Sequence, residues 1–240
     1  MKIALLGYGK MGKAIEQIAL QAGHTIVLKA DNSTYQKDIL EQADVAIEFS
    51  TPATALSNIK NCVDAGVPIV VGTTAWYDQY TEACEYVNQH KGGLFTATNF
   101  SIGVNLFWKI TTEASKLIDA YDAYEPTIDE IHHTQKLDAP SGTAITTAET
   151  LLNQFGRKNK WVHHENGQGS ISNELELSVR SFREENVPGT HTVKFNSDID
   201  SIEITHTAHN RKGFATGALK AAEFMCDKQG VYNMNNLLNL

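Results

Sequence analysis

Fifteen consecutive residues, Glu130-Ile-His-His-Thr-Gln-Lys-Leu-Asp-Ala-Pro-Ser-Gly-Thr-Ala144, hold two adjacent imidazoles, a lysine, an aspartate and a Pro-Ser-Gly-Thr turn. Thr127 to Ile131 alternates like a strand, and Thr143 to Phe155 has a helical pattern. The polar cluster therefore sits where a strand ends and a helix begins. Ser141, Gly142 and Thr143 fall at the helix start, where unpaired N–H groups and the helix dipole favour an anion. Lys136 and one histidine add positive charge and a transferable proton. Taken singly, His132 or His133 is as readily a core histidine, and Asp138 to Thr143 a turn with a helix cap. The combination points to a carboxylate or phosphate cradle beside a proton-carrying group.

A second motif opens the chain. Lys2 to Leu6 reads as a buried strand, followed by Gly7-Tyr-Gly-Lys-Met-Gly12, a helical pattern to Ala22, a strand from Thr25 to Lys29, and Asp31. Strand, GxGxxG, helix, strand and acid is the context that makes this glycine pattern a dinucleotide fingerprint. Asp31 is placed to meet the adenosine ribose and to disfavour a 2′-phosphate. Lys10 and Lys29 lie close enough to pair with one. The reading is NADH and/or NADPH, leaning to NADH.

Elements that would position these groups follow in order. Asp44 to Ser50, Gly66 to Gly72 and Leu94 to Phe100 read as strands, separated by helices over Pro52 to Ala65 and Gln79 to His90. This alternation implies a doubly wound parallel sheet of Rossmann type. Right-handed crossovers bring the strand ends at Gly7–Gly12, Ser50–Thr51, Gly72–Thr74 and Ala97–Phe100 to one edge, where such folds bind ligands. After the central stretch, Glu174 to Arg180, His191 to Phe195 and Ser201 to His206 alternate with period two and read as antiparallel strands. They suggest a second α+β domain on an open mixed sheet. The helix from Gly213 to Cys226 is expected to return to the first domain. The division is thus 1–101 with 212–240, and 102–211. The second sheet is long enough to pair between subunits.

The chain has 240 residues, and 42% hydrophobic content places it among globular proteins. A net charge of -8 argues against a nucleic-acid binder, which needs clustered Lys and Arg. Cys62, Cys84 and Cys226 are widely spaced, without a CxxC pair, and indicate neither zinc site nor disulfide. The opening apolar run is too short for a signal segment, and no stretch approaches a membrane span; a cytoplasmic protein is expected. His163-His164-Glu165 resembles a metal triplet but reads as a solvated loop. His206 and His209 read as strand-end surface residues. No metal is expected. Arg180 and Arg183 could meet a carboxylate or line a wet strand face, and Arg211 would close over substrate or cofactor.

Several motifs together resemble the dihydrodipicolinate reductase family of bacterial lysine and diaminopimelate biosynthesis. They are Gly7–Gly12, Glu48-Phe-Ser-Thr-Pro52, Gly72-Thr-Thr74, Asn99-Phe-Ser-Ile-Gly-Val-Asn105, His132-His133, Lys136–Ala144, Val187-Pro-Gly-Thr-His191, Glu203-Ile-Thr-His206 and Arg211–Gly217. The likeness runs nearly end to end. It implies an NAD(P)H-dependent reductase, commonly a homotetramer, acting on a cyclic imine dicarboxylate. By resemblance His132 is the acid/base residue and Lys136 the proton donor. His133, Gly142 and Thr143 bind a substrate carboxylate. Gly7, Tyr8, Gly9, Lys10, Met11, Gly12, Asp31, Gly72, Thr73, Thr74, Ala97, Thr98, Asn99 and Phe100 contact the dinucleotide. The residues alone do not decide between His132 and Lys136 for protonating the product; cations near Lys136 would draw its pKa toward the working range. The chain is somewhat shorter than many members. Lys10 stands where many have Arg, and Ala75 where Gly is common. Two other readings remain: a Rossmann dehydrogenase acting on another amino-acid-derived imine or semialdehyde, which would not need the His-His…Lys…Ser-Gly-Thr group, and a non-catalytic dinucleotide sensor, which would tolerate loss of His132 or Lys136.

Overall fold

Every residue of the first strand after Lys2 is buried, because both faces of its sheet are covered. The computed structural model describes residues 1–31, 35–168, 173–210 and 212–240. In chain order the elements are β1 (Lys2–Leu6), α1 (Lys10–Gln21), β2 (Thr25–Ala30), α2 (Lys37–Leu40), β3 (Val45–Glu48), α3 (Pro52–Asp64), β4 (Ile69–Val71), α4 (Tyr80–Gln89), β5 (Gly93–Thr96) and α5 (Ile102–Ile118). Then come β6 (Glu125–His132), α6 (Gly142–Leu152), β7 (Lys160–Glu165), β8 (Glu176–Arg183), β9 (Thr190–Asn196), β10 (Ser201–Thr207), α7 (Lys212–Met225), β11 (Gly230–Tyr232) and α8 (Met234–Leu238). No helix among the described residues is long and apolar enough to cross a membrane.

The chain divides into Met1–Ile102 with Lys212–Leu240, and Gly103–Arg211. The first unit carries a parallel sheet in the order β11-β5-β4-β3-β1-β2. Alternation along β1 sends Ala4 and Leu6 to a core shared with Ile59, Cys62, Val87 and Leu94, and Ile3 and Leu5 to one shared with Ile15, Ala218 and Ala222. Helix α7 thus packs beside α1 on one face, with Leu237 and Leu238 against the same core. Cys62 is fully buried, and burial pushes its thiol pKa up, as expected of a packing residue.

Gly217 lies inside α7, where Ala is ordinarily favoured by about 1 kcal/mol. A Cβ there would collide with the Phe100 carbonyl, which is backbone and cannot swing away. Overpacking costs about 1–3 kcal/mol, so Gly217→Ala is expected to lower stability despite its better helix propensity. A urea-unfolding midpoint equal to or above that of the parent would contradict this.

The second unit carries a mixed sheet in the order β10-β9-β6-β8-β7. β9 is antiparallel to β6 and β10, whereas β8 is parallel to β6 and β7. The expectation of antiparallel pairing therefore fails at β8; period-two alternation reports a half-covered sheet, not strand direction. One face packs Ile128, Val179, Val193 and Phe195 against Phe107, Leu151 and Phe155. His163-His164-Glu165 is not a loop: it forms the second half of β7, paired to Val179–Ser181. Its polar content masks an edge strand with one buried position, His164.

Candidate functional site

In the first unit, the loop from β1 to α1 lies where the fingerprint requires. Gly7 adopts φ +93°, and a Cβ there or at Gly12 would strike backbone atoms, so the tight turn needs both glycines. A Cβ at Gly9 would meet nothing within 4 Å. The backbone there faces open space, as a pyrophosphate cradle should. Gly9, Lys10 and Met11 line a cleft of about 490 Å³ with Phe49, Ser50, Pro52, Gly72, Thr73, Thr74 and Ala75. Tyr8 completes the loop; its hydroxyl donates to Glu16, which also pairs with Lys29.

Phe49, which the sequence presents only inside the Glu48–Pro52 motif and without a role, lines the cleft. Its ring closes against Gly72, where a Cβ would collide with it. The Ser50 N–H donates to Thr73 Oγ1 (2.9 Å), tying the ends of β3 and β4 together. Ala75 has φ 59°, a conformation glycine adopts more readily. Asp31 stands exposed just past β2. Ala97, Thr98, Asn99 and Phe100 follow β5 and do not line the cleft, although the Phe100 ring packs at a tilt of 56°, centroids 5.6 Å apart, on Phe49, which does.

In the second unit, β6 presents Ile128, Glu130 and His132 to its buried face. Its end leads through a turn (Lys136 N–H to His133 O, 3.0 Å) to α6. Ser141 caps α6, its Oγ accepting from the Ala144 N–H at 3.2 Å. Gly142, the first helical residue, is exposed, and a Cβ there would meet nothing within 4 Å. The surface beside Gly142 is thus open at the start of the helix, where backbone N–H groups have no intrahelical partner. Thr143 follows it.

Glu130 organises the cluster. It is fully buried, accepts from the Ser141 N–H (3.0 and 3.2 Å) and from Ser181 Oγ (2.6 Å), and lies 3.4 Å from His132 Nδ1 and 3.6 Å from His191 Nε2. Burial alone would raise its pKa; the nearby His191 imidazole and the bonds from Ser141 and Ser181 outweigh it and hold the carboxyl at about 2. His132 moves the other way. Burial, then the neighbouring His191, Lys136 and Arg183, push it down to about 4 against the pull of Glu130. Glu130, His132 and His191 bring donor atoms within 4.8 Å of one another, a spacing that metal sites share, and Glu130 already accepts from Ser141 and Ser181.

Lys136 Nζ lies 2.7 Å from both oxygens of Asp138, and the ammonium holds that carboxyl below its usual range. Its ion-pair partner is thus the neighbouring carboxylate of the same turn. Arg183 fixes the same turn by donating to the carbonyls of Lys136 (3.3 Å) and Asp138 (2.8 Å). Arg180 meets a carboxylate of the protein itself, Asp129, in a bidentate pair of 2.5 and 2.8 Å. His133 is half-buried, with Nδ1 buried and without a hydrogen-bond partner. His206 is half-buried opposite His191 in the β9–β10 pair, not at the surface, and burial, then His191 and His209, lower its pKa. Arg211 lies outside the described residues.

In the sequence His191 stands only at the end of a turn motif and the start of a strand, with no role at the site. Its one readable signal was strand alternation, which makes it a buried polar position; its meeting with Glu130 depends on β6–β9 register, Glu130 opposite His191.

Comparison with known proteins adds to this geometry. A family model described as "Dihydrodipicolinate reductase, N-terminus" matches residues 1–100, and one described as "Dihydrodipicolinate reductase, C-terminus" matches 103–238. A 4-hydroxy-tetrahydrodipicolinate reductase of Christiangramia forsetii is 45% identical over 240 residues, covering 100% of this chain and 98% of the relative. One from Neisseria meningitidis serogroup B is 34% identical over 229 residues, covering 94% and 84%. A solved dipicolinate-bound dihydrodipicolinate reductase from Paenisporosarcina sp. TG-14 shares the fold, with TM-score 0.78, 22% identity and 98% of each chain covered.

Proposed function

The chain belongs to the dihydrodipicolinate reductase family and carries out the 4-hydroxy-tetrahydrodipicolinate reductase step of lysine and diaminopimelate biosynthesis with NAD(P)H; on that premise we propose how its residues divide the work. Residues 1–101 and 212–240 bind the dinucleotide, and 102–211 bind substrate and build a homotetramer. The observation that carries the assignment is the open first turn of α6 beside Lys136 and the buried His132.

Bound dinucleotide supplies the hydride. Gly7–Gly12 cradle its pyrophosphate, Asp31 meets the ribose, and Gly72–Thr74 line the same cleft; Ala97–Phe100 contribute through the tilted Phe100–Phe49 contact. Gly142, Thr143 and His133 hold a substrate carboxylate at the start of α6, and the relative described with dipicolinate bound supports a dicarboxylate as the ligand class. Electron density builds at the substrate when hydride adds to a conjugated imine, and a proton must arrive there. Lys136 donates it, and the half-exposed turn lets solvent restore Nζ. His132, neutral at physiological pH, accepts a hydrogen bond and does not act as the acid. The tetramer is supported by β10, an edge strand exposing Ile202, and a cytoplasmic setting by the pathway.

The test follows absorbance loss of NADH or NADPH with substrate generated in situ from pyruvate and aspartate semialdehyde by a dihydrodipicolinate synthase. No oxidation by folded, NADH-binding protein would sink the assignment. NADH is expected to give the higher kcat/KM. Asp31 repels a 2′-phosphate, and Lys29 is already engaged by Glu16 and lies over the Tyr8 ring. A higher kcat/KM with NADPH would reverse this preference.

A further inference from the structure

We infer that Glu130 is a positioning residue that fixes the tautomer of His132, holding Nδ1–H toward its own carboxylate and presenting Nε2 as an unprotonated acceptor. The inference rests on the reading that His132 acts at the reaction site.

The geometry leaves the carboxylate little freedom. Oε1 accepts from Ser181 Oγ at 2.6 Å and from the Ser141 N–H at 3.0 Å. Ser181 Oγ is itself 3.0 Å from His163 Nε2, so the network runs from β6 through β8 to β7. Oε2, 3.2 Å from the same Ser141 N–H, faces His132 Nδ1 at 3.4 Å and His191 Nε2 at 3.6 Å. His132 Nδ1 is fully shielded from solvent and meets the geometry of no hydrogen bond, so this carboxylate is the acceptor it faces. An imidazole nitrogen facing a buried carboxylate carries the proton, since two lone pairs set against each other in a dry site repel. Nε2 is then the free acceptor.

On that other side stands Gly189. A Cβ at this position would approach His132 Nε2 to 3.0 Å, so the missing side chain keeps Nε2 uncovered. His191 packs edge-on to His132, ring centroids 5.1 Å apart, and its Nε2 lies 3.1 Å from Ser141 Oγ. The ring of His132 is thereby held from one side while Glu130 holds its Nδ1. Through the Ser141 N–H, the same carboxylate also anchors the cap of α6. One buried charge therefore sets both the acceptor nitrogen and the start of the helix assigned to the substrate carboxylate.

Glu130→Gln separates tautomer control from structural support. The single amide oxygen is needed by the Ser141 N–H and the Ser181 hydroxyl, which turns the amide N–H₂ toward His132 Nδ1. Nδ1 must then accept, and the proton moves to Nε2. Long-range ¹H–¹⁵N spectra of histidine-labelled protein at pH 7 read this directly, with His132 assigned from its loss in His132→Gln. Wild type is expected to show Nδ1–H. Glu130→Gln is expected to show Nε2–H, with kcat lowered about 10- to 100-fold and KM within about threefold. Wild-type His132 with its proton on Nε2 would overturn the inference, and this spectrum decides even if the variant fails to fold. Lost kcat without a tautomer change, or a tautomer change without lost kcat, would overturn it as well. Full activity in His132→Gln would instead remove His132 from the reaction and leave the tautomer to be judged from the wild-type spectrum.

Discussion

Lys136→Ala is expected to lower kcat by two to four orders of magnitude, the usual contribution of a positioned proton donor, while the Kd for NADH stays unchanged. Lys136 sits on the turn between β6 and α6, in the unit that does not carry the glycine loop. Its Nζ is held by both oxygens of Asp138, and Arg183 grips the carbonyls on either side of Leu137. The ammonium is therefore placed by a tied turn and not by a free side chain. Lys136→Arg distinguishes proton donation from charge. Arginine keeps the positive charge but does not give up its proton at working pH. If Lys136 donates the proton, the arginine variant is nearly as slow as the alanine one. Activity within tenfold of wild type in Lys136→Arg would show that positive charge alone suffices.

That turn was legible in the sequence because its chemistry is local. Lysine, aspartate, proline and a Ser-Gly-Thr cap lie within eight residues, and a strand end followed by a helix start fixes their neighbourhood. The glycine loop was legible for the same reason: three positions in six residues answer to one tight turn. Phe49 and His191 were not. Phe49 acquires its place from Gly72, twenty-three residues on, and His191 from a β6–β9 register that no local pattern encodes. Glu130 lay between these cases. Strand alternation puts it on the face of His132, two residues away, but its burial rests on bonds from Ser141 and Ser181, the latter fifty-one residues on. β7 was misread because an edge strand tolerates polar residues that, in sequence, look like a loop. β8 was misdirected because parallel and antiparallel partners impose the same period.

The buried charges that make the site also make the fold acid-sensitive, and the sign follows from the two carriers. His132 is depressed to about 4 in the folded protein, against about 6.5 in an unfolded chain. Between those values the unfolded chain binds the proton and the folded one does not, so stability falls as pH drops from about 6.5 to 4. Glu130 is depressed to about 2, against about 4.3 unfolded. Its stabilisation is complete above that unfolded value and is lost as pH falls from about 4.3 toward 2. Each group is worth on the order of 3 kcal/mol at about 1.4 kcal/mol per tenfold change in proton affinity. Because Glu130 and His132 face each other, their protons bind in coupled steps, and the two windows form one continuous decline. Urea-unfolding midpoints measured from pH 7 to 3 are expected to fall throughout. His132→Gln should flatten the upper part of that decline relative to wild type, and Glu130→Gln the lower part. A His132→Gln profile parallel to wild type between pH 6.5 and 4 would show that this imidazole is not buried in its neutral form, and with it would go the argument that Lys136 alone carries the proton.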